Sequence, residues 1–311
     1  MPKIPRHGAR VTRGHWLFIA LCVIWGSTWI ALKAGLAVVP PLFFAGTRFL
    51  AAGAMLLAAL RLRGGNLSVS KAHIARVAAV TLLMIALPYG LLFWGTKFVS
   101  SGLSAVLDLA LMPVCLLGFG ALFGEHRITL PRAAGIALGV SGLAVLFVPQ
   151  ILSGHNAGGS AALWGSAAIV ASAIVYALGS VLARPLLSRY SPLLIAGITM
   201  LGGGILLLAT SALTEPDATQ GAWGAVVWTS WLFLVLFGSL VAYTIYLELV
   251  RLWGNARTGA YAFVCPIVAV VLGVMIFGEH VAPTEAAGIA IMLTGAWLTL
   301  RPAVAGFKPP A

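Results

Sequence analysis

The chain has 311 residues, 61% of them hydrophobic and only 8% charged, with a formal net charge of +12. An average soluble domain carries about 25% charged residues, so this composition cannot cover a water-facing surface. The three cysteines, Cys22, Cys115 and Cys265, lie singly in apolar runs without CxxC spacing, which argues against a disulfide framework or a structural zinc site.

A helical membrane crossing needs roughly 20 mostly apolar residues. The basic opening stretch MPKIPRHGARVTRGH leads into an apolar run, 16–38, that is longer than a signal-peptide core and is read as a retained first span. Nine more follow in order, at 41–62, 74–94, 101–123, 131–149, 161–183, 192–212, 227–250, 258–277 and 283–301. Short connections such as VVPPL, RLRGGNLSVSK, GEHRITLP, SGHNAGGS and TEPDATQGAWG separate them and leave no room for a soluble domain. The predicted fold is an all-α polytopic membrane protein with ten transmembrane helices.

Orientation follows from lysine and arginine in short loops. With both termini in the cytoplasm, sixteen of the nineteen basic residues fall in cytoplasmic segments and only Lys97 falls in an outer loop. Lys33 and Arg48 lie within spans, and four of the seven acids, Glu215, Asp217, Glu279 and Glu285, fall outside. That asymmetry explains the positive charge without any nucleic-acid partner.

The chain repeats itself after about 150 residues. PLFFAGTRFLAAGAMLLA from Pro41 pairs with PLLIAGITMLGGGILLLA from Pro192, with nine of eighteen positions identical. At the same offset Trp25 faces Tyr176, Lys33 faces Arg184 and Arg48 faces Thr199. Further on, Pro113 pairs with Pro266, FGEH at 123–126 with FGEH at 277–280, and AAGIALGVSG with AAGIAIMLTG. Residues 1–152 and 153–311 are therefore read as two five-helix repeats. Because five is odd, the second repeat is inverted in the membrane, the plan of many secondary transporters.

WGSTWIALK, TRFLAAGAMLL, GTKFVSSGLSAVL and FGEHRITLPRAAGIALGVSGLAVLF resemble the first half of EamA-type proteins. RTGAYAFVCP and FGEHVAPTEAAGIAIMLTGAWL repeat the pattern in the second half. The resemblance covers nearly the whole chain and points to the drug/metabolite transporter superfamily. It implies a basket of ten helices around a central cavity, and export of amino acids or other small metabolites. Arg at the position of Arg48 is common among such proteins, which implies a shared structural role.

Charges within spans are costly and usually face a cavity or a partner. Asp108 lies about 10 Å into the fourth span. It is read either as the site of a substrate ammonium or exchangeable proton, or as half of an internal ion pair with Arg48 or Lys33. Lys33 is also placed to snorkel to the interface, and Glu248 is placed to pair with Arg251. Trp25, Tyr89, Tyr176 and Tyr243 lie nearer mid-span and are candidate cavity residues, together with Arg48, Lys33 and Asp108. Trp16, Trp164, Trp228, Trp231 and Trp297 read as interfacial belt residues. Pro113 and Pro266 are matched helix breaks that free the carbonyls of Leu109 and Ala262. Gly135, Gly139, Gly142, Gly288 and Gly295 read as close-packing positions.

The two FGEH copies fall on opposite membrane faces in this topology and cannot build one metal site. Glu125 and Glu279 are read as a repeated corner feature near the start of the next helix, where negative charge suits the helix dipole. No catalytic constellation, metal site or cofactor motif is evident, and without a phosphate loop ATP is not expected to drive the protein. The expected function is secondary export of small metabolites, foremost neutral or aromatic amino acids, by a monomer or homodimer in the bacterial inner membrane. Its partners are the substrate and the lipid bilayer. Amphipathic drug efflux is the alternative in the same class; an intramembrane enzyme and a channel are the alternatives outside it.

Overall fold

In an apolar medium a backbone must satisfy its own N–H and C=O groups, and an α-helix does so within one segment. The computed structural model describes residues 13–36, 38–96, 98, 101–125, 129–152, 159–215, 223–277 and 283–300, and among these there is no strand. Its long helices are α1 (Arg13–Leu36), α2 (Pro41–Leu62), α3 (Lys71–Thr96), α4 (Ser101–Leu122), α5 (Leu130–Leu152), α6 (Gly159–Leu187), α7 (Pro192–Thr214), α8 (Ala225–Trp253), α9 (Tyr261–Phe277) and α10 (Pro283–Leu300). A single helical turn, Asn255–Thr258, joins α8 to α9. Five apolar stretches, α2, α3, Leu163–Leu187 of α6, α7 and α8, are long and apolar enough to cross a membrane.

Local chemistry explains several boundaries. Pro41 and Pro192 open α2 and α7 at the first helical position, where no N–H is needed and the fixed φ is already helical. Ser191 caps α7 by accepting from the Leu194 N–H. The start of α2 is capped from a distance. Glu215, just past the end of α7, accepts from the Leu42 N–H at 3.1 Å and the Phe43 N–H at 3.0 Å, and Ser211 Oγ donates to it at 2.9 Å. Glu215→Ala is expected to lower stability by about 1 kcal/mol, as loss of a helix cap does, read as a lower melting temperature in detergent. Glu215→Gln, which keeps an acceptor oxygen, should lose less.

The helices α3 and α8, third in each half, share an irregularity. Each contains a π-helical turn, Leu82–Ala86 in α3 and Leu234–Val241 in α8. In α3 the turn precedes Pro88, which has no N–H to continue the ladder; the Leu87 N–H reaches back to Leu82 O. In α8 the Gly238 carbonyl accepts the Trp25 indole N–H at 3.2 Å.

The halves meet through glycines in a reciprocal pattern. A Cβ on Gly53 would stand 2.3 Å from the Leu201 backbone N, and one on Gly204 2.5 Å from the Leu50 backbone N. Adding the repeat offset of about 151 residues to Gly53 and Leu50 gives Gly204 and Leu201, so the two contacts are one contact seen twice. Likewise a Cβ on Gly135 would stand 2.8 Å from Gly295 O, and one on Gly142 2.8 Å from Gly288 O. In both pairs, positions that rise along one helix meet positions that fall along the other. The equivalent helices α2 and α7, and α5 and α10, therefore run antiparallel. The wider packing obeys the same exchange, with α1 against α8 and α9 matched by α6 against α3 and α4.

The core between the halves is dense, with Phe44, Phe49, Phe93, Tyr243, Tyr246 and Phe263 all sealed. Of the expected belt residues, Trp16, Trp164, Trp228 and Trp297 are exposed. Trp231 instead turns partly inward and donates its indole N–H to Thr47 Oγ1 at 3.2 Å.

Candidate functional site

A cavity of about 120 Å³ lies between the halves, lined by α1, α2, α3 and α4 of the first half and α6, α8 and α9 of the second. That is room for about four waters at about 30 Å³ each, or one small metabolite. Five of the sequence candidates, Trp25, Arg48, Tyr89, Asp108 and Tyr176, line it. Tyr261, Cys265, Thr28, Phe93 and Ser172 also contribute.

The repeat explains part of this convergence. Trp25 and Tyr176 are equivalent positions of the first helix in each half, and both line the cavity. Asp108 stands five residues before Pro113, and Tyr261 five before Pro266, so these too are counterparts. At these matched positions the first half thus carries an acid and the second a phenol. Tyr261 was passed over because only its distance from Pro266 distinguishes it from the other aromatics.

Arg48 is buried, with Cζ 4.4 Å from the Phe49 ring centroid and 5.4 Å from that of Tyr89. Aromatic faces hold a guanidinium without neutralising it. Its Nε has no hydrogen-bond partner. Among the described residues no ion pair joins Arg48 to Asp108 or to any other acid, so the ion pair weighed for these two is absent. The Tyr176 hydroxyl is buried without a partner as well. A buried donor without an acceptor is costly, and here Arg48 and Tyr176 both border empty space.

Other candidates fall elsewhere. Tyr243 does not line the cavity; its hydroxyl is enclosed between Thr199 Oγ1 at 3.4 Å and Met84 Sδ at 3.8 Å. The backbone of Lys33 lies on α1, but its side chain is outside the described residues, as is that of Pro266 on α9. Glu279 is outside them entirely. Pro113 sits within α4, which continues through it. It cannot donate to the carbonyl of Leu109, which is itself at the cavity wall. Glu248 pairs with Arg251, Oε1 to Nη2 at 2.6 Å.

Glu125 differs from the corner reading. Its carboxylate turns into the bundle, where Oε1 accepts from Asn255 Nδ2 at 2.8 Å and Oε2 lies 3.3 Å from Arg184 Nη1. Burial pushes its carboxyl above the usual range, while Arg184 and the Asn255 hydrogen bond pull the other way.

A family model described as the EamA-like transporter family matches residues 12–148 and 163–301. An Escherichia coli K12 protein named as an uncharacterized inner membrane transporter, YedA, is 34% identical over 279 residues, covering 88% of this chain and 86% of its own. The Bacillus subtilis uncharacterized transporter YvbV is 28% identical over 295 residues, covering 94% of this chain and 92% of its own. A WAT1-related chloroplastic protein of Arabidopsis thaliana is 30% identical over 290 residues, covering 89% of this chain and 67% of its own. One crystal structure superposes with a TM-score of 0.73 over 92% of this chain and 95% of its own; at 20% identity it speaks to the fold alone.

Proposed function

Because the chain belongs to the EamA-like transporter family, we propose that it is a secondary transporter that exports small metabolites, amino acids foremost, by alternating access through the central cavity. The observation that carries this reading is a single cavity walled by equivalent positions of two halves whose matched helices run antiparallel. Two inverted halves have two nearly equivalent ways to pack, one open to each side. In this reading all ten long helices cross the bilayer and the repeats divide near residue 152. Both termini lie in the cytoplasm, where the basic loops gather. The naming of YedA as an inner membrane transporter supports the same location.

The cavity's chemistry favours a small zwitterion over a bulky amphipathic drug. Among the described residues Arg48 has no ion pair and the Asp108 carboxyl group does not pair with it, while Trp25, Tyr176 and Tyr261 supply aromatic surface. A substrate carboxylate at Arg48 and ammonium at Asp108 would satisfy both at once.

Counterflow by the purified protein in proteoliposomes, across a panel of amino acids and other metabolites, tests the reading. Protein-dependent exchange of at least one zwitterion is expected, and none across the panel would overturn it. Asp108→Asn should weaken recognition of the ammonium. A hydrogen bond to a charged group is worth about 1.5–3 kcal/mol, so apparent affinity should fall about ten- to hundredfold. A substrate analogue without the amine should be little affected.

A further inference from the structure

A continuous polar chain runs from Tyr246, packed behind the cavity wall, to the Glu125 end of the bundle. Tyr246 on α8 is fully buried, and its ring centroid lies 5.3 Å from Trp25, 5.7 Å from Tyr176 and 5.8 Å from Tyr261, three residues of the wall. Its oxygen stands 2.6 Å from Ser180 Oγ on α6. Ser180 donates to Asn255 Oδ1, so the hydrogen between Tyr246 and Ser180 belongs to Tyr246. Asn255 then donates through Nδ2 to Glu125 Oε1. Every donor points the same way, and the chain ends on a carboxylate.

The other carboxylate oxygen is the unusual one. Glu125 Oε2 is buried and accepts no hydrogen bond, although Arg184 Nη1 stands 3.3 Å away. The Glu125 side chain is 7% exposed and that of Arg184 35%. The Arg184 guanidinium also runs along the corner at Gly254, where φ is 79° and a Cβ would stand 3.3 Å from Nη2. One carboxylate therefore links the α4–α5 corner to α6 and to the 255–258 turn.

We propose that Glu125 is a proton-operated latch on this end of the transport path, shut when ionised and released when a proton from the adjoining aqueous face binds Oε2. This rests on the alternating-access reading, in which this end is cytoplasmic. The groups that face Glu125 are Arg184 from α6, the neutral Asn255 from the turn and, through Ser180, Tyr246 from α8. Protonation forms one O–H bond and removes one negative charge. It leaves the Asn255 bond to Oε1 intact but sets an O–H donor against the Arg184 N–H donors, so the tie to α6 is lost. Burial favours the neutral acid, which brings release closer to neutral pH than for a surface glutamate. Lower pH therefore opens this end.

Cys265 on the cavity wall is a natural reporter once Cys22 and Cys115 are replaced by alanine in the full chain. Labelling by a membrane-impermeant thiol reagent is followed in right-side-out and inside-out vesicles between about pH 5 and about pH 8. With each rate divided by that of the same thiol in the unfolded protein at the same pH, which removes the thiolate's own pH dependence, labelling from the Glu125 side is expected to rise about tenfold as pH falls when Glu125 is present. On that normalised scale Glu125→Gln should be fast at every pH, and Glu125→Asp should restore the pH response. Arg184→Met, which leaves the carboxyl in place and covers the case in which Glu125→Gln fails to fold, should also lose it. A wild-type pH response in Glu125→Gln or Arg184→Met overturns the latch alone. Labelling from only the opposite side, in every variant and at every pH, overturns alternating access and the latch with it.

Discussion

Replacing Arg48 with methionine is expected to remove transport while leaving the fold intact. Among the described residues Arg48 is buried without an ion pair, its Nε is unbonded, and its guanidinium lies against the faces of Phe49 and Tyr89. A buried cation without a counter-ion is expensive, and the two aromatic faces return about 1–2 kcal/mol of that cost. An unbranched apolar side chain of similar length gives up both terms, so stability should stay within about 1 kcal/mol of the parent. Transport should respond very differently. Removing one partner of a desolvated charge pair costs about 2–5 kcal/mol, or from about thirtyfold to several thousandfold in affinity for a carboxylate substrate. Arg48→Lys should be intermediate, because an ammonium keeps the charge but not the planar group that stacks on Phe49 and Tyr89. Counterflow and a detergent melting curve on the same preparation separate the possibilities. A purely structural arginine would lose several kcal/mol of stability together with activity, and that outcome would remove Arg48 from the binding site.

Arg48 and Asp108 were legible in the sequence for one reason: an ionised side chain in an apolar span has few places to go. Their separation was not, because ion pairing depends on side-chain reach that spacing alone does not fix. Tyr243 shows the limit for aromatics. A helix apolar on all sides has no polar face to mark what looks into a cavity, and Tyr243 and Tyr176, both near mid-span, go to different places. The Glu125 chain was invisible for another reason. Ser180 reads as one more small packing residue and Asn255 as a loop residue, and only the third dimension brings Asn255 to a carboxylate 130 positions away and Ser180 to Asn255. The helices themselves were easier, since apolar length and loop chemistry mark them. The expected end of the sixth span at 183 still fell short, because α6 continues past Pro185 to Leu187 and carries Arg184 with it.

The contact between α2 and α7 supplies the second large effect. Gly204→Ala is expected to destabilise the protein by about 1–3 kcal/mol, the usual cost of overpacking. The added methyl would meet the Leu50 backbone N at 2.5 Å and Gly46 O at 3.0 Å, and backbone cannot swing aside as the end of a side chain can. Gly53→Ala, its counterpart in the other half, should cost a similar amount, since its methyl would meet the Leu201 backbone N and Gly197 O. Gly118, near the C-terminal end of α4, is the control: a Cβ there meets nothing within 4 Å. Alanine at 118 should be neutral or stabilising by up to about 1 kcal/mol, the helix-propensity difference between the two residues. The pair Gly53→Ala and Gly204→Ala also tests the twofold relation itself. Each substitution pushes the same two helices apart at contacts related by that twofold, so once one has separated them the second should cost less. The double variant should therefore lose less than the sum of the single losses, by more than about 0.5 kcal/mol. Strict additivity would mean that the two glycines belong to independent contacts, and that α2 and α7 do not meet as reciprocal copies about a shared axis.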